Sequence, residues 1–329
     1  MNKSYFYIET AFHHEGDIDY LKKIINAAKE LKVDGVKFQV LTRVEDFVSV
    51  YHSAFEQLKS YCFSLTQWDE VFKYTLSLGL DIILMPLNVE ALKLADKYPV
   101  KYIDIHSVSF NDVKLLSAIN EYDNDIILAI GGRDKTEIEN KIVFFKHKIK
   151  VLMVGFQSFP SKLEDVNLGK IEWVKKDFPN FKIGYADHSS FDDEYAVLSN
   201  EYARLLGATI FEKHFTLDEG LERVDFNSAI GVKKMQTILD RINFIDKSIL
   251  IEQENAYVFN EKEVVYRERQ LVCVANRDIE ENAILKLNDI DFKMITSGTN
   301  CINDCTELIG KKTLITVKKD VPFKKSDLI

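Results

Sequence analysis

The amino-acid sequence predicts a (β/α)8 barrel followed by a small, separate C-terminal domain of mostly β or irregular structure. Over the first 250 residues, eight short apolar runs alternate with amphipathic stretches of helix length, a pattern typical of parallel βα units. Eight such units in about 250 residues are what a barrel of this kind requires. A doubly wound open sheet is disfavoured, because no G-x-G-x-x-G motif follows the first strand.

The apolar runs and the amphipathic periodicity predict the elements of the barrel in order along the chain. Strands are predicted at Tyr5–Ile8, Gly35–Phe38, Asp81–Met85, Tyr102–Ile105, Ile126–Ile130, Val151–Gly155, Lys182–Tyr185 and Thr209–Phe211. Helices are predicted at Tyr20–Leu31, Trp68–Leu78, Ala91–Lys97, Val113–Ile119, Glu137–Phe145, Ile171–Asp177, Tyr195–Leu206 and Gly231–Ile249. In a closed barrel the carboxyl ends of the strands meet at one face, so this face is where the chemistry is expected.

The pattern changes after the barrel domain, which is predicted to span residues 1–250. Polar and acidic residues predict a linker over 251–264. Residues 265–329 then contain short β-like runs, Gln270–Ala275 and Thr313–Val317, with turn signals and without a long helix. The sequence therefore predicts a second, β-rich domain.

Composition and charge exclude several classes of protein. Forty-three basic residues against 52 acidic ones give a net charge of −9, which argues against binding to nucleic acid or to an anionic membrane surface. The amino terminus lacks the apolar region of a signal peptide, and no stretch approaches the ~18 uninterrupted apolar residues of a membrane span. Four cysteines are too sparse for a disulfide framework in a chain of this length. We therefore expect a cytoplasmic protein with reduced thiols.

Histidines are concentrated at the predicted strand ends. Four of the seven lie there: His13 and His14 after the first strand, His188 after the seventh and His214 after the eighth. His188 and His214 end neighbouring strands, so their imidazoles could converge on one divalent metal ion. The alternative is that each is a hydrogen-bonded histidine near a strand end.

Carboxylates and one lysine share this face. Glu9 and Glu212 end the first and eighth strands, which become neighbours when a barrel closes, and could orient a water or a substrate hydroxyl. A structural ion pair with Lys37 or Lys213 is the alternative. Lys37 could form a Schiff base or contact phosphate, or it could extend its charged end to solvent. Gly131 and Gly132 could shape an anion-binding turn or a plain turn.

Five spaced motifs resemble those of the sialic acid synthase family. They are E-T-A-F-H-H-E-G-D (9–17), V-K-F-Q (36–39), F-P-S-K-L-E-D-V-N-L (159–168), G-Y-A-D-H-S (184–189) and E-K-H-F-T (212–216). The resemblance spans nearly the whole chain and implies a TIM barrel followed by an antifreeze-like domain. It also implies a domain-swapped homodimer in which the small domain covers the partner's active site. The implied reaction condenses phosphoenolpyruvate with an N-acyl hexosamine to give a nonulosonic (sialic-acid-like) acid.

The resemblance assigns site residues motif by motif. It implies a divalent metal, Mn²⁺ with Mg²⁺ or Co²⁺ as substitutes, held by His188 and His214. Glu9 matches the carboxylate near the sugar carbonyl and the attacking water, and Glu212 is the second candidate catalytic residue. Among the candidate substrate-binding residues, Lys37 matches a lysine near phosphoenolpyruvate and Ser107 matches a phosphate-contacting serine. Asp225 matches an acid that contacts the sugar. The other candidate substrate-binding residues are Gln39, Gln157, Asp187 and Lys213.

The chain departs from the family pattern mainly where the family binds phosphate. Asp104 stands in place of a phosphate-binding lysine, which puts an acid opposite a dianion. Charge-assisted hydrogen bonds to phosphate are each worth roughly 1.5–3 kcal/mol, so phosphoenolpyruvate binding should weaken unless His106, Arg133 or Gln157 compensates. The other departures are Met85, Ala129, Phe159 and Ala186 in the barrel, and Met294 in place of the small-domain arginine.

Three hypotheses follow from these observations. The first is a divergent, phosphoenolpyruvate-dependent nonulosonic acid synthase. The second is a metal-dependent aldolase or lyase acting on a keto-acid sugar, with pyruvate in place of phosphoenolpyruvate. The third is a non-catalytic paralogue that keeps the fold and the dimer interface.

Overall fold

Eight parallel strands form a closed barrel in the computed structural model, which describes residues 3–155, 158, 160–249, 257–267, 269–296 and 300–329. Each strand pairs with the next along the chain, and β1 also pairs with β8, where Tyr5 lies opposite Ile210. The strands are β1 (Tyr5–Glu9), β2 (Gly35–Val40), β3 (Asp81–Pro86), β4 (Val100–Ile105), β5 (Ile126–Ala129), β6 (Ile149–Gly155), β7 (Lys182–Asp187) and β8 (Ile210–His214). The predicted (β/α)8 barrel is confirmed.

Helices separate the strands, and several of them begin at residues whose side chains cap the helix. Asp17 accepts hydrogen bonds from the amides of Asp19 and Tyr20, and Ser64 forms a capping box with Gln67. The helices of this unit are α1 (Ile18–Leu31), α2 (Phe55–Tyr61), α3 (Leu65–Ser77), α4 (Lys93–Lys97), α5 (Val113–Asn120), α6 (Lys135–Phe145), α7 (Leu163–Val166), α8 (Lys170–Asp177), α9 (Tyr195–Leu205) and α10 (Val232–Ser248). Among the described residues, no helix is both long and apolar enough to cross a bilayer.

Several elements differ from their predicted bounds. β8 continues to His214 and β7 to Asp187, so polar residues expected just after the strands lie in or directly at the end of the sheet. The short helices α2 and α7 were not predicted. In α2 only Phe55 is buried, which leaves almost no amphipathic signal.

The interior of the barrel is layered because alternate residues of each strand point inward. The lower layers are apolar and aromatic, and the side chains nearest the carboxyl ends are charged or imidazole groups. Side chains of the opposite parity pack against the helices in the main core. The inward apolar cluster comprises Tyr7, Ile83, Tyr102, Ile127, Val151, Met153, Ala186 and Ile210.

The chain divides into two compact units, Met1–Ile251 and Glu252–Ile329. The second unit contains helix α11 (Glu261–Arg267) and two antiparallel strands, β9 (Val272–Ala275) and β10 (Ile290–Lys293). It has its own buried core, formed by Cys273, Ala275, Ile279, Leu285, Ile290, Ile302, Leu308, Val317 and Phe323. That this unit is an antifreeze-like domain stays a prediction.

The predicted linker at 251–264 is only partly described. Residues 251–256 lie outside the described residues, and α11 begins within the predicted linker at Glu261.

Candidate active site

A cavity with about 890 Å³ of empty space opens at the carboxyl ends of the barrel strands. Its described lining includes eight of the eleven residues that the sequence marks as catalytic, substrate-binding or metal-binding. These eight are Glu9, Lys37, Gln39, Ser107, His188, Glu212, His214 and Asp225. The remaining three are Gln157, which lies outside the described residues, and Asp187 and Lys213, which do not line the cavity.

Strand alternation explains which side chains reach the cavity. In β8, Glu212 and His214 share one face of the strand, and Lys213 between them takes the other. In β7, Ala186 and the following His188 face the cavity, whereas Asp187 does not.

The cavity floor holds one lysine among three carboxylates. Lys37 Nζ lies 2.7 Å from Glu9 Oε2, 3.0 Å from Asp104 Oδ2 and 2.8 Å from Glu212 Oε2. All four side chains are at most 5% exposed. We call Lys37, Glu9, Asp104 and Glu212 the Lys37 cluster. If all its members are ionised, the cluster carries an excess of negative charge.

The cluster fixes the protonation state of Lys37. Burial opposes the charged form, but the attraction of Asp104, Glu212 and Glu9 outweighs it and holds the pKa of Lys37 well above its usual value. A lysine held protonated by three carboxylates is not a nucleophile, so the geometry gives no support to the Schiff-base interpretation.

The carboxylates respond in the opposite direction. Burial raises the pKa of Asp104 to about 6, against the attraction of Lys37 and with repulsion from Glu212. Burial also raises the pKa of Glu212 to about 7, against the attraction of Lys37 and with repulsion from Glu9. The excess negative charge of the cluster is thus partly relieved by protonation near neutral pH.

Two neutral hydrogen-bond donors hold the catalytic candidates in place. The Tyr7 hydroxyl donates to Glu212 Oε2 at 2.7 Å, and Gln39 Nε2 donates to Glu9 Oε1 at 2.6 Å. Gln39 was predicted to bind substrate, and here it positions Glu9 while lining the cavity.

The two candidate metal ligands lie side by side. The ring centroids of His188 and His214 are 5.1 Å apart, and both rings are buried. Burial lowers the pKa of His188 to about 4 and that of His214 well below its usual value, so both imidazoles are neutral, the form that binds metal. Glu9 Oε2 lies 3.7 Å from His214 Nε2.

His188 and His214 supply two nitrogen donors for the implied metal. Among the described residues, no group of three or more His, Cys, Asp or Glu side chains is arranged to hold one ion. The two neutral imidazoles fit a divalent cation that takes two protein ligands and completes its coordination with water or substrate oxygens. The chemistry of the donors therefore fits an open site rather than a closed structural one.

Asp187 and Lys213 form a separate buried pair outside the cavity. Lys213 Nζ lies 3.2 Å from Asp187 Oδ2 and donates to the Ser189 carbonyl at 2.9 Å. Asp187 also accepts hydrogen bonds from the Ser189 amide and from Asn200 Nδ2 of α9, each at 2.8 Å. The structure does not bring these two predicted substrate-binding residues to the cavity, because they lie on the outward parity of β7 and β8.

Two further residues of the cavity, Asp104 and His106, are not among the eleven candidate site residues from the sequence. Asp104 is a partner of Lys37, as described above. His106 lines the cavity, its Nδ1 accepts a hydrogen bond from the Val108 amide at 3.2 Å, and burial with the nearby Lys37 charge lowers its pKa to about 4. Asp104 and His106 are spaced two residues apart, so the strand alternation of β4 points both side chains inward. This alternation can be recognised in the sequence.

His13 and His14 are buried but do not line the cavity. The His14 ring stacks on Phe63 with centroids 4.5 Å apart. The His13 ring lies edge-on to His214 with centroids 6.0 Å apart. The geometry thus places His13 and His14 in the packing around the site.

Comparison with known proteins identifies relatives along most of the chain. The NeuB family model matches residues 24–253. An uncharacterised protein of Methanocaldococcus jannaschii is 29% identical over 288 residues, which cover 87% of this chain and 83% of that protein. The N,N'-diacetyllegionaminic acid synthase of Campylobacter jejuni is 25% identical, over 97% of this chain and 98% of its own length.

Solved structures agree with this assignment. The crystal structure of the N-acetylneuraminic acid (sialic acid) synthetase of Leptospira borgpetersenii matches with a TM-score of 0.71 and 25% identity, over 81% of this chain and 92% of that one. The resemblance that the motifs indicated is confirmed: the chain belongs to the NeuB family.

Proposed function

We propose that this chain is a nonulosonic acid synthase that condenses phosphoenolpyruvate with an N-acyl hexosamine and releases phosphate. The observation that carries the proposal is that Glu9, Lys37, Glu212 and the two neutral imidazoles of His188 and His214 line one cavity of a NeuB-family barrel. The names of the relatives in Campylobacter jejuni and Leptospira borgpetersenii support the product class.

The reaction is balanced without a further co-reactant. C3 of phosphoenolpyruvate forms a bond to the aldehyde carbon of the open-chain sugar, while water adds to C2. One proton of this water goes to the aldehyde oxygen. The C2–O bond to phosphorus then breaks, the second proton leaves with hydrogen phosphate, and C2 becomes the keto group of the product.

The residues of the cavity divide this work. His188 and His214 would hold the divalent cation, which supplies Lewis-acid polarisation of the sugar aldehyde when it is bound. Glu9, fixed by Gln39 and Lys37, accepts the proton of the attacking water. Glu212 lies on the neighbouring strand and is held by Tyr7 for proton transfer at the aldehyde oxygen. Holding both substrates in one cavity supplies the proximity that a reaction of two substrates and water requires.

The test is phosphate release from phosphoenolpyruvate with a panel of N-acyl hexosamines and manganese. We expect release that depends on the sugar and is abolished in Glu9→Gln, whereas Glu45→Gln, an exposed glutamate outside the cavity, is the matched control. Phosphate release that is independent of sugar, or equal in Glu9→Gln, would contradict the proposal.

A second candidate function is favoured by the charge of the cavity. Its described lining carries the carboxylates of Glu9, Asp104, Glu212 and Asp225 against the single ammonium of Lys37. Such a site repels a phosphate dianion, which favours a metal-dependent aldolase or lyase that joins pyruvate to a sugar aldehyde or reverses that step. Sugar-acid formation from pyruvate, without phosphate release, would establish this alternative over the synthase.

The quaternary structure is part of the same proposal. We propose a homodimer, as the resemblance implies, in which the second unit covers the active site of the partner. Light scattering of the full chain and of a chain ending at Phe259 tests this: a lower mass and lower activity on truncation are expected, and an unchanged mass and activity would contradict it.

A further inference from the structure

A second cavity adjoins the active-site cavity and has the opposite charge. It has about 800 Å³ of empty space at the carboxyl ends of β5 and β6, and Gly155 lines both cavities. Its walls are apolar, and the charged side chains among its described lining are those of Arg133 and Lys170. Carboxylates are absent from that described lining. An anion that the Lys37 cluster repels therefore has a favourable place directly beside it.

Arg133 is held at the boundary between the two cavities. Its Nη2 donates to the Ser107 carbonyl at 2.8 Å, and Ser107 lines the active-site cavity. The guanidinium lies over the Phe110 ring, 4.5 Å from its centroid. The ion pair with Glu137 is long, at 3.4 Å, and partly exposed, so it compensates little of the charge. Arg133 is thus positioned by neutral groups and keeps its positive charge available to a ligand.

Lys170 supplies the second positive charge. It is the first residue of α8, and within the described part of the chain it forms no ion pair. A guanidinium and an ammonium that line one apolar cavity can together bind a phosphate monoester attached to a carbon skeleton.

The turn that precedes Arg133 leaves room for such a group. Gly132 has φ +71°, which a residue with a side chain adopts only with strain, and the position of an added Cβ has no atom within 4 Å. The backbone at Gly131 and Gly132 can therefore be approached closely from the cavity.

We propose that this second cavity is a phosphate-monoester subsite in which Arg133 and Lys170 bind the phosphate group of a substrate. The proposal rests on the proposed function for the reaction that the substrate undergoes. The phosphate can come from two sources, phosphoenolpyruvate or an N-acyl hexosamine 6-phosphate. The chemistry of recognition is the same for both, so the experiment has to separate them.

The experiment is calorimetric titration of the full chain with four ligands in two matched pairs. They are phosphoenolpyruvate with pyruvate, and N-acetylmannosamine 6-phosphate with N-acetylmannosamine. Inorganic phosphate is the fifth probe. Arg133→Gln and Lys170→Gln remove the two charges separately, and Lys176→Gln removes an exposed lysine of the same helix that does not line the cavity. Thermal unfolding checks that each variant is folded. If Arg133→Gln does not fold, Lys170→Gln alone still tests the subsite.

We expect Arg133→Gln and Lys170→Gln each to weaken the binding of inorganic phosphate and of one phosphorylated ligand by about tenfold or more. The affinities of Lys176→Gln should equal those of the natural chain. The affinity for the unphosphorylated partner should not change. A loss confined to phosphoenolpyruvate assigns the subsite to the donor, and a loss confined to the hexosamine phosphate assigns it to the acceptor. Equal affinities in all variants would overturn the subsite.

The result separates this inference from the proposed function. Weakened phosphate binding in the two variants, together with an absence of phosphate release from phosphoenolpyruvate, supports the subsite and contradicts the synthase. Phosphate release from phosphoenolpyruvate that is equal in the natural chain and both variants supports the synthase and contradicts the subsite.

Discussion

Two buried charge clusters lie at the ends of the barrel strands, one on each face of the sheet. The outward pair, Asp187 and Lys213, is balanced: one carboxylate faces one ammonium, and the remaining donors and acceptors bond to Ser189 and Asn200. The inward Lys37 cluster is unbalanced, with three carboxylates around one ammonium. This difference in charge balance distinguishes a pair that holds the strands together from a cluster whose charge is available to a substrate.

Physical chemistry explains why an unbalanced cluster indicates function. A buried ion needs a partner and hydrogen bonds, or its pKa shifts until it is neutral. The outward pair meets that requirement within the protein. The inward cluster does not, so Asp104 and Glu212 take raised pKa values, as strained charge sets in active sites do.

The largest expected effect is on metal binding. His188 and His214 are sequence neighbours of Asp187 and Lys213 but face the cavity. His188→Ala and His214→Ala should each abolish binding of Mn²⁺, since one imidazole does not hold a divalent ion against water, and should leave the far-ultraviolet circular dichroism unchanged. Metal content per chain after dialysis measures this. His147→Ala, an exposed histidine, is the control, and unchanged metal in both cavity variants would contradict the assignment.

The next effect is on stability, from the outward pair. Lys213→Met leaves Asp187 buried without its counter-charge and should lower the free energy of unfolding by about 3–5 kcal/mol, measured by urea denaturation. Manganese binding by the folded variant should persist.

A matched comparison isolates burial as the cause. Lys135→Met breaks an exposed pair with Asp177 and should change the free energy of unfolding by at most about 1 kcal/mol. Adding Asp187→Asn to Lys213→Met should recover part of the loss, because it removes the unpaired charge. If Lys213→Met lowered the free energy of unfolding no more than Lys135→Met does, burial of the Asp187–Lys213 pair would not be the cause of its stabilising effect.

The same comparison tells how far the sequence determines the site. Strand periodicity, the motifs and the rule that barrel chemistry lies at carboxyl ends were enough for the barrel and for eight of the eleven candidate residues. The motifs G-Y-A-D-H-S and E-K-H-F-T predicted that Asp187 and Lys213 bind substrate. Because β7 extends to Asp187 and β8 to His214, strand alternation turns the side chains of Asp187 and Lys213 away from the cavity.

Other features lay beyond local sequence patterns. Asp104 reads from the sequence as an acid opposing a phosphate, and only the closed barrel shows it as a partner of Lys37, 67 positions away. The neighbouring cavity of opposite charge depends on how the ends of β5 and β6 pack against α6 and α8, which single-sequence periodicity does not encode.

A third prediction tests the imbalance of the Lys37 cluster through pH. The pKa of Asp104 is about 6 in the folded chain and about 3.9 when unfolded, so between these values the native state binds more protons. Stability must then fall as pH rises from about 4 to about 6. Asp104→Asn removes this term and should gain stability relative to the natural chain over that range, on the order of 2 kcal/mol.

Urea denaturation at several pH values measures the difference. Asp123→Asn, an exposed carboxylate, should run parallel to the natural chain. A difference between Asp104→Asn and the natural chain that is independent of pH, or that shrinks as pH rises from 4 to 6, would mean that Asp104 is not strained by the cluster.

The smallest expected effect concerns the hydrogen bond that supports the cluster from below. Tyr7→Phe removes the hydroxyl that donates to Glu212 Oε2, but the same oxygen keeps Lys37 at 2.8 Å, and the phenyl ring fills the same space. The free energy of unfolding should therefore fall by only about 1 kcal/mol. Tyr102→Phe is the matched control, because Tyr102 lies in the same apolar layer and its hydroxyl makes no hydrogen bond within the described residues.

If Glu212 transfers a proton, Tyr7→Phe should lower kcat more than it raises KM, whereas Tyr102→Phe should change neither. Equal kinetics in the two variants would assign the Tyr7 hydroxyl to stability alone and would leave Glu9 as the proton-transfer carboxylate that the geometry supports.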